Sequence, residues 1–209
     1  MAKVLAHHGQ QVTIVMTPLN AARWNSIIDY AVKFDLNINF LTFPFPCEEV
    51  ALPIGCENID TLPSLDLADK FRQASCMLQG PLEKWLQESA ESLPSCIISS
   101  QQFRWTSDVA VKFDIPRVLF HTIACFTILC GHNRGCYRGL EKLLGTGFEP
   151  VSLPGLPDEI EFNKAQALLS ESEKQRSDDL SNQYYTKIRE SERSADGMLL
   201  NTFEDMEAE

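Results

Sequence analysis

Polar side chains directly follow two apolar runs that are typical of buried β-strands. Ser100 and Gln102 come after the run at residues 95–99, and His121 and Thr122 come after the run at residues 117–120. In a doubly wound parallel sheet, ligands bind beyond the carboxyl ends of the strands. Hydroxyl, amide and imidazole groups at that edge can orient a hydroxylated ligand. The same residues could instead only cap the helices that follow, and the sequence leaves both interpretations open.

A second group of reactive residues suggests a metal site at first. His121, Cys125, His132 and Cys136 fall on one face of a predicted helix. Positions 121 and 136 would lie about 22 Å apart in that helix, so the four side chains cannot converge on one ion. We therefore predict no metal site.

Nucleotide and hydrolase motifs are also missing from the sequence. The pattern at residues 145–147 (Gly-Thr-Gly) lacks the third glycine of a dinucleotide fingerprint, and neither a P-loop nor a nucleophile elbow occurs. These motifs therefore give no support for a nucleotide site or a serine nucleophile in this chain.

Composition limits the class of protein. The 209 residues are 44% hydrophobic, which predicts one folded domain or at most two. A net charge of −11 without any cluster of Lys and Arg argues against nucleic acid and anionic membrane as partners. No apolar run reaches the roughly 18 residues of a membrane span. Seven cysteines without a Cys-x-x-Cys pair predict reduced thiols in the cytoplasm.

Strands alternate with helices along the chain. Hydrophobic periodicity predicts an α/β fold, a Rossmann-like parallel sheet with helices on both faces. Gly80 and Pro81 are expected to kink or split one helix. The predicted strands are residues 11–16, 36–43, 95–99, 117–120 and 197–202; the helices are residues 21–31, 66–91, 108–113, 122–144 and 170–194; the long loops are residues 44–65 and 145–160.

The first residues predict an incomplete βαβ unit. Residues 1–8 have the pattern of a short helix that Gly9 ends, and a strand follows at once. No strand precedes this helix, so we expect the first half of the unit to lie upstream of Met1.

Several segments resemble one family in their order and spacing. They are MAKVLA at 1–6, TIVMTPLNA at 13–21, FPFP at 43–46, LPIGCEN at 52–58, WTSDVA at 105–110, IPR at 115–117, LPGLP at 153–157 and NTFE at 201–204. Together they resemble plant UDP-glycosyltransferases, in the half that binds the sugar acceptor.

The resemblance implies a GT-B architecture of two Rossmann-like domains. The first domain binds the acceptor, and the second binds the UDP-sugar. A His after the first strand acts as general base for direct displacement without a metal, and an Asp orients that His. Residues 1–209 are then expected to form an incomplete acceptor-side domain that lacks the first strand and the UDP-sugar domain and binds no cofactor alone.

The sequence differs from this family at the positions of the catalytic residues. The base would lie upstream of Met1, and neither His7 nor His8 can replace it because both lie at the far end of the first helix. Ser100 stands at the expected position of the orienting Asp, and Arg104 replaces a small residue or proline. In the strand order 3-2-1-4-5 the missing strand is the central one. The strand at 11–16 is then expected beside 36–43, and the strand at 95–99 beside 117–120. Low stability is expected because 11–16 and 95–99 lose their shared neighbour.

The expected function follows from the resemblance. The chain is predicted to be a fragment of an enzyme that transfers a sugar, with glucose as the expected sugar, from a UDP-sugar to a flavonoid, phenolic or terpenoid hydroxyl. It is expected to be inactive alone. The alternative is a non-catalytic module that binds a small molecule or pairs with an intact glycosyltransferase. The candidate acceptor-binding residues are Gln102, Phe103, Trp105, His121, Thr122 and Phe126.

Overall fold

The computed structural model describes residues 1–136, 150–153, 155–156, 159–162, 187 and 190–202. The chain divides into two compact units, Met1–Leu93 and Pro94–Glu209. Each unit contains parallel strands and helices, as the predicted fold class requires.

The first unit begins with a helix followed by a strand, as predicted. Its first five elements are α1 (Ala2–His7), β1 (Val12–Met16), α2 (Pro18–Arg23), α3 (Asn25–Lys33) and β2 (Ile38–Thr42). β1 and β2 pair in parallel, and Ala6, Ala31 and Ile38 form the buried core beside them. The single helix predicted over residues 21–31 is two helices, divided at Trp24.

The predicted loop at residues 44–65 packs against the helix that follows it. Short 3-10 turns occupy Glu48–Val50, Ile59–Thr61 and Leu65–Leu67, and α4 spans Ala68–Met77. Buried side chains of the loop contact Ala74 on α4; they are Cys47, Val50, Leu52 and Cys56. The long loop therefore has a hydrophobic core of its own.

Polar contacts attach the same loop to α2. The carboxylate of Glu57 accepts a hydrogen bond from the backbone amide of Leu19 (2.9 Å), in the first turn of α2. Arg23, in the last turn, donates two hydrogen bonds to Asp60, at 3.2 and 2.9 Å. Gly55, two residues before Glu57, adopts a φ of +92°, a conformation that favours glycine.

The helix predicted over residues 66–91 is split, as expected from Gly80 and Pro81. α4 ends at Met77 and α5 (Gln79–Glu88) begins after Leu78. Pro81 cannot donate the backbone hydrogen bond that would join the two helices across this point. The break therefore falls three residues before the proline.

The second unit contains a three-stranded parallel sheet in the order β3–β4–β7. The leucine at position 119 and the valine at position 109 are fully buried, on the central strand and on α6. The elements are β3 (Ile97–Ser99), α6 (Thr106–Phe113), β4 (Arg117–His121), α7 (Cys125–Cys136), β5 (Val151–Ser152), β6 (Glu161–Phe162) and β7 (Gly197–Leu200).

Three predictions for the second unit need correction or lie partly outside the described residues. Val151–Ser152, in a segment predicted to be loop, pairs in an antiparallel ladder with Glu161–Phe162. The helix predicted at 122–144 is described only as far as residue 136. Of the helix predicted at 170–194, only residues 187 and 190–194 are described, and residues 190–193 are helical.

The strand pairing agrees with the predicted neighbours. Residues 11–16 were expected beside 36–43, and 95–99 beside 117–120, and each pair forms in its own unit. Among the described strands, β1 pairs only with β2, and β3 pairs only with β4. One edge of each of these strands is therefore open in its sheet.

Candidate functional site

The predicted polar residues lie at one edge of the sheet in the second unit. β3 and β4 run parallel with Ser99 opposite Leu119, and β4 and β7 run parallel with His121 opposite Leu200. The three strands therefore end at the same edge. Ser100 and Thr122 directly follow β3 and β4, and the amide of Asn201 donates to the carbonyl of His121 (3.2 Å) after β7.

The six candidate acceptor-binding residues differ in their access to solvent. Gln102, Phe103, Thr122 and Phe126 are exposed, with 41% of Phe103 and 52% of Phe126 accessible. Trp105 and His121 are buried; the ring of Trp105 contacts that of Phe103 edge to face at 6.3 Å. The four exposed side chains can touch a ligand directly, whereas the two buried ones can only support the surface it would contact.

The structure contains a buried cation near this edge that the sequence analysis did not predict. Arg117, the first residue of β4, is 1% exposed. Its Nε donates to Ser99 Oγ (3.0 Å) and Thr106 Oγ1 (2.9 Å), and its Nη1 donates to the carbonyl of Ser191 (2.8 Å). Burial lowers the pKa of Arg117, and the carboxylate of Glu192 opposes this effect.

The hydroxyl groups of Ser99 and Thr106, beside Arg117, allow only one assignment of hydrogen-bond donor and acceptor. Thr106 Oγ1 donates to the carbonyl of Phe103 (2.6 Å) and so has no proton left for Ser99. Ser99 Oγ, 2.8 Å away, must therefore donate to Thr106 Oγ1. This chain of hydrogen bonds runs from Arg117 to the loop at residues 100–105, which contains Gln102 and Phe103.

His121 is buried at the other end of β4. It is 3% exposed, and its Nε2 lies 3.9 Å from Oε1 of Glu192. Within the described part of the chain, neither ring nitrogen has a hydrogen-bond partner. The adjacent residues Ser191 and Glu192 therefore place a carbonyl at the guanidinium of Arg117 and a carboxylate near the ring of His121.

The residues expected at the catalytic positions offer little acid–base chemistry. Ser100, at the position expected for the orienting Asp, is partly buried, and its carbonyl accepts a hydrogen bond from the amide of Phe103 (3.1 Å). A serine hydroxyl has no charge with which to stabilise an imidazolium. His7 ends α1 with its Nε2 3.3 Å from Tyr30 Oη, and His8 follows it.

The described part of the chain contains neither a metal cluster nor a membrane-spanning helix. No three of their His, Cys, Asp and Glu side chains lie close enough together to hold a metal ion. None of the helices that the structure describes is long and apolar enough to cross a bilayer. The six cysteines whose side chains are described are free thiols.

Comparison with known proteins gives close relatives, although no family model matches the chain. UDP-glycosyltransferase 73D1 of Arabidopsis thaliana is 39% identical over 208 residues, which are 99% of this chain and 40% of that protein. UDP-glycosyltransferase 73E1 of Stevia rebaudiana is 36% identical over 211 residues, all of this chain and 42% of that protein.

The crystal structure of Glycyrrhiza uralensis UGT73P12, complexed with glycyrrhetinic acid 3-O-monoglucuronide, has the same fold. It superposes with a TM-score of 0.82 at 27% identity, over 99% of this chain and 41% of that one. The chain thus spans about two fifths of the length of the proteins it matches. Sequence and fold together identify it as a relative of plant UDP-glycosyltransferases of the GT-B fold.

Proposed function

We propose that this chain forms the acceptor-binding part of a plant UDP-glycosyltransferase. The acceptor is a small hydroxylated metabolite, such as a flavonoid, phenolic or terpenoid, that binds at the carboxyl edge of β3 and β4. The observation that supports this most is the arrangement of Ser100 and Thr122, which follow adjacent parallel strands at one edge. Parallel α/β sheets bind their ligands at this kind of edge.

The exposed candidates suit such a ligand. Phe103 and Phe126 offer aromatic surface for a flat or polycyclic apolar skeleton. Gln102 and Thr122 can donate hydrogen bonds to, and accept them from, its hydroxyl groups. Trp105 supports Phe103 from below through their edge-to-face contact. Apolar area with a few polar groups is the usual composition of a small-molecule site.

This 209-residue chain is proposed to transfer no sugar by itself. Ser100 cannot orient a catalytic base as a carboxylate does, and neither His7 nor His8 follows a strand of the sheet. A positioned general base contributes about 10²- to 10⁴-fold in rate. We assign binding of the UDP-sugar to the part of the related enzymes that this chain does not match, and we expect the sugar to be glucose.

Two assays on the purified chain test these proposals. Binding is measured by calorimetry with quercetin, a flavonoid, and with glycyrrhetinic acid 3-O-monoglucuronide, a terpenoid. Transfer is measured by incubating UDP-glucose and quercetin with the chain and analysing the products by mass spectrometry. We expect binding of at least one probe and no glucoside above the no-enzyme control. Absence of binding to both probes would overturn the acceptor-site proposal, and glucoside formation would overturn the proposed inactivity.

A second candidate function is association with an intact glycosyltransferase. β7 exposes three successive apolar side chains, Met198, Leu199 and Leu200, at 37–48% of their surface. Exposed apolar strands favour pairing with another protein. Co-expression with a tagged full-length relative is expected to yield the two chains in a fixed ratio.

The free thiols are consistent with a cytoplasmic location, which we also propose.

A further inference from the structure

We propose that Arg117 is a positioning residue that determines which acceptors the chain binds. Its guanidinium would hold the loop at residues 100–105 and the segment at residues 191–194 in one arrangement beneath the acceptor edge. This inference rests on the proposed function, because it concerns the selectivity of that same site.

The first link runs from the guanidinium to the loop. Nε of Arg117 donates to Ser99 Oγ and Thr106 Oγ1, and Thr106 Oγ1 donates to the carbonyl of Phe103. The carbonyl of Phe103 belongs to one of the two aromatic residues offered to the ligand. A shift of Arg117 is therefore transmitted through two hydrogen bonds to the backbone that carries this ring.

The second link runs to the end of the helix predicted at residues 170–194. Nη1 of Arg117 donates to the carbonyl of Ser191, and Ser191 Oγ lies 3.5 Å from the carbonyl of Arg104, in the loop. The next residue, Glu192, places its carboxylate 3.9 Å from His121. One side chain thus sets the positions of Phe103 and Glu192, which belong to segments far apart in the sequence.

The energetics favour a positioning role over a stabilising one. The described hydrogen bonds of the guanidinium are to neutral oxygens, and burial lowers the pKa of Arg117. An apolar side chain in such a place often gives equal or greater stability than a buried cation. Arginine nevertheless suits the geometry, because its planar group donates in fixed directions to separate acceptors. Lysine offers a compact ammonium that cannot reproduce them.

The test uses Arg117→Lys together with a milder pair at Thr106. Thr106→Val removes the hydroxyl that joins Arg117 to Phe103 while keeping the shape, and Thr106→Ser restores the hydroxyl. Val111→Ala is the control, because Val111 lies on the same helix, α6, with 78% of its surface exposed. The affinity of each variant for quercetin and for glycyrrhetinic acid 3-O-monoglucuronide is measured by calorimetry, with circular dichroism to verify folding.

We expect the ratio of the two dissociation constants to change about tenfold in Arg117→Lys and several-fold in Thr106→Val. Thr106→Ser and Val111→Ala should keep the ratio within about twofold. A loss of stability alone would weaken both probes equally and leave the ratio unchanged. An unchanged ratio in folded Arg117→Lys and Thr106→Val would overturn the inference.

A second measurement needs no ligand. In a Trp24→Phe, Trp85→Phe background, Trp105 is the remaining tryptophan, and it is buried in the loop. We expect acrylamide quenching of Trp105 to rise several-fold in Arg117→Lys and Thr106→Val but not in Thr106→Ser. If the parent chain binds neither probe, the proposed function fails, and quenching alone decides whether Arg117 positions the loop. Unchanged quenching in every variant would refute that positioning.

Discussion

Arg117 and Asp196 exchange two hydrogen bonds across 79 residues of sequence. The amide of Arg117 donates to Oδ2 of Asp196 (2.8 Å), and the amide of Asp196 donates to the carbonyl of Arg117 (2.9 Å). The pair lies immediately before Val118 and Gly197, where the ladder between β4 and β7 begins. A side chain and a backbone group thus set the register of this strand pair together.

Replacing the carboxylate of Asp196 should weaken the second unit. Asp196→Ala leaves the partly buried amide of Arg117 without its acceptor, which costs about 1–3 kcal/mol in the free energy of unfolding. Asp196→Asn keeps an acceptor and should cost less. Urea unfolding followed by circular dichroism measures both. Asp29→Ala, on the exposed face of α3, is the control; an equal loss there would contradict the assignment.

Gly55 and Gly197 should respond oppositely to alanine. Gly55 has a φ of +92°, so Gly55→Ala forces an L-residue into a left-handed conformation and should destabilise the chain by about 1–2 kcal/mol. Gly197 has ordinary strand geometry, and an added Cβ would lie 3.9 Å from Val118 Cγ2. Gly197→Ala should therefore stabilise the chain, by about 0.5–1 kcal/mol. Thermal melts of both variants check the opposite signs.

Leu119 is expected to dominate the core of the second unit. It is fully buried on the central strand, so Leu119→Ala should cost about 2–5 kcal/mol through lost burial and the cavity that remains. Ile98 on the neighbouring strand is 39% exposed, and Ile98→Ala should cost clearly less. Chemical denaturation of the two variants compares them. Equal losses would mean that Leu119 is no better packed than Ile98.

The thiol of Cys47 should react slowly with alkylating reagents. Burial raises the pKa of Cys47, and the nearby Cys56 and Glu57 raise it further. Hydrogen bonds from backbone amides lower the pKa but do not cancel this rise. Less thiolate therefore forms at neutral pH, and access is poor. Iodoacetamide labelling followed by peptide mass spectrometry should modify the half-buried Cys76 before Cys47. Labelling of Cys47 first would contradict this.

The same shift has a consequence for stability. The folded-state pKa of Cys47 lies above its unfolded value. The contribution of the protonated thiol to the free energy of unfolding is therefore fully present below the unfolded pKa. It is lost as pH rises through the folded value. We expect Cys47→Ala to flatten the decline of the melting temperature at alkaline pH. The melting temperature measured at steps from neutral to alkaline pH tests this, with Cys76→Ala as the control.

Periodicity of apolar residues was enough to predict the fold class. The strands at residues 97–99 and 117–121 lie where continuous apolar runs indicated them, because buried parallel strands need apolar side chains on both faces. The split between α4 and α5 followed from Pro81. The short pair β5–β6 was missed, because two residues per strand are too few to produce a pattern.

The location of the candidate site could be predicted from the sequence, but the buried hydrogen bonds that hold it in place could not. Strand ends can be located from sequence, so Ser100 and Thr122 were expected at one edge. Arg117 was missed because an arginine is normally exposed, and its acceptors Ser99, Thr106 and Ser191 are distant in sequence. Contacts of this kind depend on tertiary structure. The one local signal was a cation at the start of an otherwise apolar strand.

The bond from Arg117 to Ser191 imposes an order on folding during synthesis. β3, α6 and β4 are neighbours in sequence and can assemble soon after they leave the ribosome, whereas Ser191 is made 74 residues after Arg117. Until then, the guanidinium is enclosed by its neighbours without its last carbonyl acceptor, or it stays in water and keeps the sheet open. The nascent sheet is therefore a candidate for chaperone capture until its last strand arrives.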